Sequence, residues 1–306
     1  AFMRAASHVP DCKVVACCDL SADKAEEFAR RYDLSASFDD VQTMLAAVSP
    51  DCAYIATTAN AHAAMSRICI RNGVAVLCEK VMLLNSREAE ETFELAREKH
   101  VFAMEALWSR FLPANVQARQ WVEAGAIGNP ELVLARISAY TPDRSSRYYD
   151  PRLGGGVARD LTVYTYGVTD YLLGPSAPAP EITSVDADWS ASGVDVTNRV
   201  HMRYAGASCY METTCLAQVD EKIEINGANG ARIVVPHPHF ASEAILVAQN
   251  GEELKHFRDE SGVEGHAYQI QEVIDCIRAG QVESPVVPHE LTIRYGKLCD
   301  QVDATR

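Results

Sequence analysis

The chain has 306 residues, of which 48% are hydrophobic and 23% charged, a globular composition and about the length of two domains. Its formal net charge is −14, and an acidic surface repels phosphate backbones and anionic lipids, which argues against nucleic acid or a membrane as partners. The ten cysteines lie among apolar residues without a CxxC pair, which is typical of a cytoplasmic protein without disulfides or a bound metal.

Up to about residue 106, short apolar segments alternate with helical patterns. Strands are predicted at residues 13–20, 51–58, 74–80 and 101–107, and helices at residues 1–10, 21–34, 59–73 and 85–100. Asn85 and Glu88 have the spacing of a capping box at the start of the last of these helices. Apolar strands separated by helices are typical of a parallel sheet covered on both faces. We therefore predict a doubly wound α/β domain over residues 1–106.

The pattern changes near residue 128. Strand-like segments then follow one another, separated by turn residues, at 130–140, 181–191, 197–205, 207–215, 222–236 and 243–251. We predict an α+β domain with an open antiparallel sheet over residues 107–306. The segment Ser176–Pro180 is predicted to be a loop, and residues 264–280 an amphipathic helix that is the last element.

In an open α/β sheet, ligands bind beyond the carboxyl ends of the strands. Asp19 follows the first predicted strand and could bind a ribose, or could simply cap the next helix. Thr57, Thr58, Asn60 and His62 follow the second strand, where free N–H groups favour a pyrophosphate or ribose. The alternative is capping by Asn60 and a surface position for His62.

Glu79 and Lys80 end the third predicted strand. A lysine at this edge of the sheet can hold a positive charge beside a cofactor and depress the pKa of a nearby acid. Glu79 could bind a ribose or steady the lysine. The alternative is a solvated loop lysine without a role. Residues 105–110 mark the fourth strand end.

A second candidate region is a run of three glycines, Gly154–Gly156, followed by a helical pattern. Asp160 and Tyr164 lie four residues apart and hence on one helix face. A tyrosine, with a reference pKa of about 10, becomes a usable acid or base near a lysine cation, and the glycines allow a ligand to approach closely. The alternative is a glycine hinge and a core tyrosine.

Three motifs occur together and in order: CEKVMLLN, MEALWSRFLP and YYDPRLGGGVARDLTVYTYG. With them the chain resembles the Gfo/Idh/MocA oxidoreductases, and within that family the dihydrodiol and D-xylose dehydrogenases. The resemblance implies a Rossmann-like domain, an NAD or NADP cofactor, and hydride transfer between that cofactor and a hydroxyl of a sugar, such as D-xylose, or a trans-dihydrodiol. It also implies a homodimer that forms through the open sheet.

The resemblance implies that Lys80, Asp160 and Tyr164 are catalytic. Tyr164 would take the hydroxyl proton, Lys80 would lower the pKa of Tyr164 and orient the substrate, and Asp160 would position the pair. Further residues are assigned to the pocket: Trp108 and Arg110 on the cofactor side with Asp19, Thr57, Thr58, Asn60, His62 and Glu79, and Phe111, Arg147 and Tyr148 on the substrate side. The histidines of the segment 237–239 are predicted to lie on the surface.

The sequence departs from the family pattern at Val81, where the motif has proline, and at Thr162, where a glycine would lie near the nicotinamide. Family members also begin with a strand and a glycine-rich turn before the helix that matches residues 1–10, so we expect the given sequence to lack that first strand. These departures support an alternative hypothesis, a non-catalytic sensor or scaffold that binds a sugar or nucleotide.

The sequence leaves the cofactor open between NAD and NADP. Asp19 favours NAD, because a carboxylate binds the ribose hydroxyls and repels a 2′-phosphate. The resemblance favours NADP, but it places an arginine just before the acid, where this chain has Cys18. Arg30 and Arg31 lie on the following helix and are not expected to substitute for it.

Overall fold

The computed structural model describes residues 1–174, 179–204 and 206–306. Most of the predicted loop Ser176–Pro180 lies outside these residues. The helices are α1 Phe2–Ala6, α2 Ala22–Tyr32, α3 Val41–Val48, α4 Ala59–Arg71, α5 Ser86–Lys99, α6 Pro113–Glu123, α7 Val163–Leu173, α8 His266–Arg278 and α9 His289–Asp303. The strands are β1 Ala16–Cys18, β2 Ala36–Phe38, β3 Cys52–Ile55, β4 Ala75–Cys78, β5 Ala103–Glu105, β6 Pro130–Ser138, β7 Glu181–Trp189, β8 Asp195–Tyr204, β9 Ala207–Thr214, β10 Lys222–Gly227, β11 Arg232–Pro236, β12 Glu243–Val247 and β13 Glu253–Arg258.

The first part of the chain is the predicted α/β arrangement with parallel strands. Within the described residues, β1 pairs with β2, and β3, β4 and β5 form a second parallel sheet with β4 at its centre. Every residue of β4 is buried, as expected for a strand covered on both faces. The strand β2 and the helix α3 were not predicted, because each is short and only half-buried, and the apolar pattern is correspondingly weak.

Asn85 caps α5 as its sequence spacing predicts. The Asn85 side chain accepts a hydrogen bond of 2.9 Å from the backbone N–H of Glu88. The Glu88 carboxylate accepts instead from the N–H of Leu84 at 3.0 Å. The helix start therefore also fixes the end of the loop that carries Lys80.

The second part of the chain forms an eight-stranded sheet in the order β13-β12-β11-β10-β6-β9-β8-β7. The prediction of a purely antiparallel sheet was wrong in one place, because β6 and β9 run parallel at its centre. The chain leaves β6 through α7 and returns through the β7–β8 hairpin, and this long connection allows a parallel pair. Residues 222–236 form two strands, β10 and β11, and β13 is an additional edge strand.

The last two helices pack on the first part of the chain. Helix α8 shares a small apolar core with α1, and α9 packs along α5. The prediction that residues 264–280 form the last element was therefore wrong, since α9 follows. Helix α9 also contributes Thr292, which contacts Glu105 at the end of β5. Among the described residues, no helix is long and apolar enough to cross a membrane.

Candidate active site

The loop that carries Lys80 is held in place by a buried carboxylate. Glu105, at the end of β5, accepts hydrogen bonds from the backbone N–H of Met82 at 2.8 Å and from the Thr292 hydroxyl of α9 at 2.7 Å. Burial raises the pKa of Glu105. Val81, which replaces the motif's proline, is fully buried, and the Lys80–Val81 peptide is cis.

His62 has a structural position rather than the predicted cofactor contact. Its ring is buried, with Nδ1 2.8 Å from the carbonyl oxygen of Val81 and Nε2 3.1 Å from that of Thr57. Both ring nitrogens therefore have partners within the protein. His62 ties the loop after β3 to the loop after β4 and so helps to place Lys80.

Lys80 and Asp160 form the ion pair that the sequence predicted to be catalytic. The Lys80 ammonium lies 2.6 Å from Oδ1 of Asp160 and 2.7 Å from its carbonyl oxygen, and both side chains are largely buried. Burial acts to lower the pKa of Lys80, but the charges of Tyr164 and Asp160 outweigh it and raise the pKa. Burial acts to raise the pKa of Asp160, but the Lys80 charge and hydrogen bond leave it lowered. The pair is therefore ionised.

Tyr164 completes this group. Asp160 lies in a π-helical turn, Ala158–Thr162, that leads directly into α7. The Lys80 ammonium lies 4.9 Å from the centre of the Tyr164 ring, and the Trp108 indole N–H donates to the Tyr164 hydroxyl at 3.2 Å. Burial raises the pKa of Tyr164, while the Lys80 charge and the Trp108 hydrogen bond act to lower it. Lys80 thus acts to lower the pKa of Tyr164, as predicted, but burial outweighs this effect and the pKa is raised.

The glycines before this turn fit against the protein itself rather than against a ligand. A Cβ on Gly155 would lie 2.6 Å from the carbonyl oxygen of Tyr148, and one on Gly156 would lie 2.1 Å from Oδ1 of Asp195. A Cβ on Gly154 would lie 3.0 Å from Ala59, at the start of α4. We predicted that these glycines let a ligand approach closely. In the structure they instead let the protein pack closely on itself, which fixes the position of Asp160.

Thr162 does not add bulk to the site. Its side chain is fully buried, and its hydroxyl accepts a hydrogen bond of 3.2 Å from the Asn198 amide of β8. The expectation that this residue crowds the nicotinamide was wrong, because the π-helical turn directs it into the core.

Two predicted substrate-side residues surround Asp160. The Arg147 guanidinium, which is mostly exposed, lies 3.6 Å from Oδ1 of Asp160. The pKa of Tyr148 is raised by burial and by the charge and hydrogen bond of Asp160. Phe111 packs, partly buried, against the main core, and its substrate contact stays a prediction.

Arg110 is a buried structural cation, which contradicts its predicted cofactor contact. Its side chain is 2% exposed and pairs at 3.0 Å with Asp170, whose side chain is 4% exposed. It also donates to the carbonyl oxygen of Gly167 at 3.1 Å. A side chain enclosed in this way leaves no surface for a ligand.

The remaining predicted cofactor-side residues lie at the carboxyl edge of the parallel strands. Glu79 accepts a hydrogen bond from the hydroxyl of Tyr54, a residue that sequence reasoning missed. The N-cap residue of α4, Thr58, makes no side-chain cap, and Thr57 and Asn60 are exposed beside it. The N-terminus of α4 can therefore receive a pyrophosphate or a ribose.

Asp19 is exposed at the end of β1 and accepts a hydrogen bond of 2.9 Å from the N–H of Ser21. The cap of the following helix is Ser21 and not Asp19. One carboxylate oxygen of Asp19 thus stabilises the turn, and the side chain stays exposed at the end of the strand. The chain's residues fit a nicotinamide dinucleotide along this edge.

The prediction that the histidines of residues 237–239 lie on the surface was wrong for His239. His239 is 7% exposed, and its ring centre lies 5.4 Å from that of Tyr164. Its neighbour Phe240 approaches Trp108, with 5.3 Å between ring centres, and His266 of α8 stacks on Trp108 at 4.3 Å. The sequence holds no local signal for these contacts, because they join turns and helices far apart in the chain.

Comparisons with known proteins agree with this architecture. Residues 1–107 match the family described as an oxidoreductase family with an NAD-binding Rossmann fold, Gfo/Idh/MocA, and residues 115–232 match the Gfo/Idh/MocA C-terminal domain. Trans-1,2-dihydrobenzene-1,2-diol dehydrogenase of Mus musculus is 31% identical over 286 residues, covering 90% of this chain and 83% of that protein. The Homo sapiens enzyme of the same name is 29% identical with the same coverage of both chains.

Solved structures share the fold at low sequence identity. A 3-ketoreductase from Actinomadura kijaniata in complex with NADP superposes with a TM-score of 0.85 at 20% identity, over 99% of this chain and 92% of that one. The aldose-aldose oxidoreductase of Caulobacter crescentus gives 0.87 at 16% identity, with the same coverage. The predicted fold class and the predicted nicotinamide-dependent oxidoreductase are thereby confirmed, and the chain belongs to the Gfo/Idh/MocA oxidoreductase family.

Proposed function

We propose that the protein is an NAD(P)-dependent dehydrogenase that acts on a CH–OH group of a sugar or of a cyclic trans-diol. The observation that carries this proposal is the buried group Lys80–Asp160–Tyr164. It combines a lysine from the loop after β4, an acid from the π-helical turn before α7 and a tyrosine from the first turn of α7. A buried phenol beside a fixed ammonium is a proton acceptor and donor suited to alcohol oxidation and carbonyl reduction.

Each residue of the group has a separate role. The bound nicotinamide supplies the hydride acceptor. The Tyr164 phenolate accepts the hydroxyl proton and becomes the phenol, and before this step the charge of Lys80 and the N–H of Trp108 stabilise that phenolate. Asp160 holds the Lys80 ammonium in place.

The substrate class is proposed from the relatives. The mouse and human relatives are named as dehydrogenases of a trans-dihydrodiol, and the structural neighbours include a levoglucosan dehydrogenase, seen with NADH and levoglucosan, that is 19% identical to this chain with a TM-score of 0.85. Sugars and trans-dihydrodiols both present ring hydroxyls to a base. D-xylose is our candidate among the sugars.

Replacing the two central residues tests the proposal. Lys80→Met and Tyr164→Phe should each fold normally and lower kcat by about a hundredfold or more, the usual scale for a general acid or base. Turnover is followed by nicotinamide absorbance with D-xylose and trans-dihydrodiols. Arg87→Met, which removes an exposed cation of α5, is the matched control and should keep full turnover.

Near-normal turnover of Lys80→Met and Tyr164→Phe would contradict the mechanism. A wild-type protein that binds sugar or nucleotide but never turns over would favour the alternative, a non-catalytic sensor or scaffold. Val81 in place of proline motivates that alternative. The intact Lys80–Asp160–Tyr164 group favours the enzyme.

The preference between NADH and NADPH is open to direct titration. We propose that Asp19, Thr57, Thr58, Asn60 and Glu79 hold the cofactor. The Asp19 carboxylate repels a 2′-phosphate, so NADH should bind more tightly than NADPH, and Asp19→Ser should reduce the difference. Nicotinamide fluorescence measures both affinities. Tighter binding of NADPH by the wild-type chain would refute this assignment of Asp19.

We also propose that the protein is cytoplasmic and a homodimer. Its ten cysteines are all free, as is usual in a reducing compartment. Residues 1–106 serve as the cofactor domain, and residues 107–306 bind the substrate and form the dimer through the open face of the eight-stranded sheet.

A further inference from the structure

His239 lies beside the catalytic group, although it belongs to a different element of the fold. It lies on the turn between β11 and β12, far along the chain from both Lys80 and Tyr164. Its ring centre is 5.4 Å from that of Tyr164 and 4.2 Å from that of Phe240. The imidazole therefore lies beside the Tyr164 side chain.

The turn that carries His239 is held rigidly. The Asn115 amide of α6 donates to the carbonyl oxygen of Pro238 at 2.9 Å. The N–H of Phe240 donates to the carbonyl oxygen of His237 at 2.7 Å, and the His237 ring lies 3.1 Å from Glu221. His237 has a left-handed backbone with φ of 44°, which a non-glycine residue adopts only where the surroundings enforce it. The imidazole of His239 is thus preorganised.

One ring nitrogen of His239 is not satisfied by the protein. Among the described residues, its Nδ1 is buried and has no hydrogen-bond partner. Burial lowers the pKa of His239 to about 4, and the Lys80 charge acts in the same direction against the opposing charge of Glu221. At neutral pH the ring is therefore uncharged, with one N–H donor and one acceptor nitrogen. A buried, unpaired polar atom beside a reaction site calls for a partner.

We propose that His239 binds the hydroxyl next to the one that Tyr164 deprotonates, so that the enzyme selects vicinal diols. A hydroxyl both donates and accepts a hydrogen bond, which matches a neutral imidazole. Sugars and trans-dihydrodiols share this vicinal pair. The inference rests on the proposed function and deepens it by naming the residue that recognises the second hydroxyl.

Paired substrates test it. For trans-1,2-cyclohexanediol against cyclohexanol, and for D-xylose against 2-deoxy-D-xylose, the wild-type ratio of kcat/KM should favour the diol. His239→Phe should lower that ratio about five- to tenfold, the value of one hydrogen bond. His239→Gln, which keeps a donor and an acceptor, should retain most of the ratio. His8→Gln, at an exposed position away from the site, is the matched control and should change nothing.

An unchanged ratio in His239→Phe, with the wild type active, would overturn the inference and leave the proposed function standing. A wild type inactive on every pair would defeat the proposed function instead. In that case histidine ring NMR decides on the inference. The His239 resonance is the one that disappears in His239→Gln. It should shift when trans-1,2-cyclohexanediol is added but not when cyclohexanol is added. No shift with the diol would overturn the inference.

Discussion

At the scale of single residues, two buried ion pairs in this molecule have different surroundings. Lys80 and Asp160 lie beside Tyr164 and retain slight exposure. Arg110 and Asp170 are enclosed, and Asp170 also accepts from the Tyr204 hydroxyl at 2.9 Å. The first pair can exchange a contact with a ligand, and the second can only stabilise the fold. Sequence position alone does not distinguish them.

Asp170→Asn should strongly destabilise the protein. Its carboxylate balances Arg110 and also Arg294, whose guanidinium lies 2.8 Å away, and neutralising it leaves two cations with little access to water. Removing one partner of a buried pair costs about 3–5 kcal/mol, which urea unfolding measures. Asp186→Asn breaks an exposed pair with Arg199 and should leave the unfolding midpoint unchanged. Equal midpoints for the two variants would refute the structural role of Asp170.

At the scale of elements, the glycine segment 154–156 packs against the start of β8. Gly156 has φ of 113° and packs on Asp195 at the start of β8. Asp195 in turn accepts from the N–H of Ala158 at 2.7 Å, in the π-helical turn that carries Asp160. The sequence predicted that these glycines let a ligand approach closely, but the group that approaches Gly156 is Asp195, a residue about forty positions further along the same domain.

Gly156→Ala should therefore reduce both stability and turnover. The new Cβ would overlap the Asp195 carboxylate and would require a backbone that L residues rarely adopt, at a combined cost of about 3 kcal/mol or more. Gly280→Ala is the control, since Gly280 has φ of 68° with open space around it, and it should cost only about 1 kcal/mol. Thermal unfolding and kcat measure the effects. A Gly156→Ala variant as stable as Gly280→Ala would contradict the packing.

At the scale of the whole molecule, one face of the eight-stranded sheet is covered by α6 and α7, and the other carries exposed apolar side chains. Leu134 and Tyr210 pair across the central strands β6 and β9 and are 38% and 43% exposed. The ion pair of Arg136 with Glu212 lies next to them. An apolar centre with a charged margin is suited to a second copy of the chain.

Light scattering at micromolar concentration should give twice the chain's mass. Leu134→Glu with Tyr210→Glu should shift the protein to monomers, because the added charges would be buried without partners. Glu181→Lys, at an exposed position of the edge strand β7, is the control and should stay dimeric. A monomeric wild type would refute the dimer.

The sequence by itself determined the two-part fold class, the family and the candidate group Lys80, Asp160 and Tyr164. Each of these depends on local pattern, such as the apolar strands, the helix spacing of four residues, and motifs that lie within short segments. The family then implied the contact between Lys80 and Tyr164, which no spacing could predict.

Only the tertiary structure decided which polar residues face the site. Arg110 and His62 were predicted to contact the cofactor but are used inside the fold, while His239 lies in a turn without a motif and reaches Tyr164. The physical reason is that burial and pairing depend on which distant elements meet, and a sheet of eight strands brings together residues that are far apart in the chain. The direction of β6 beside β9 was decided in the same way.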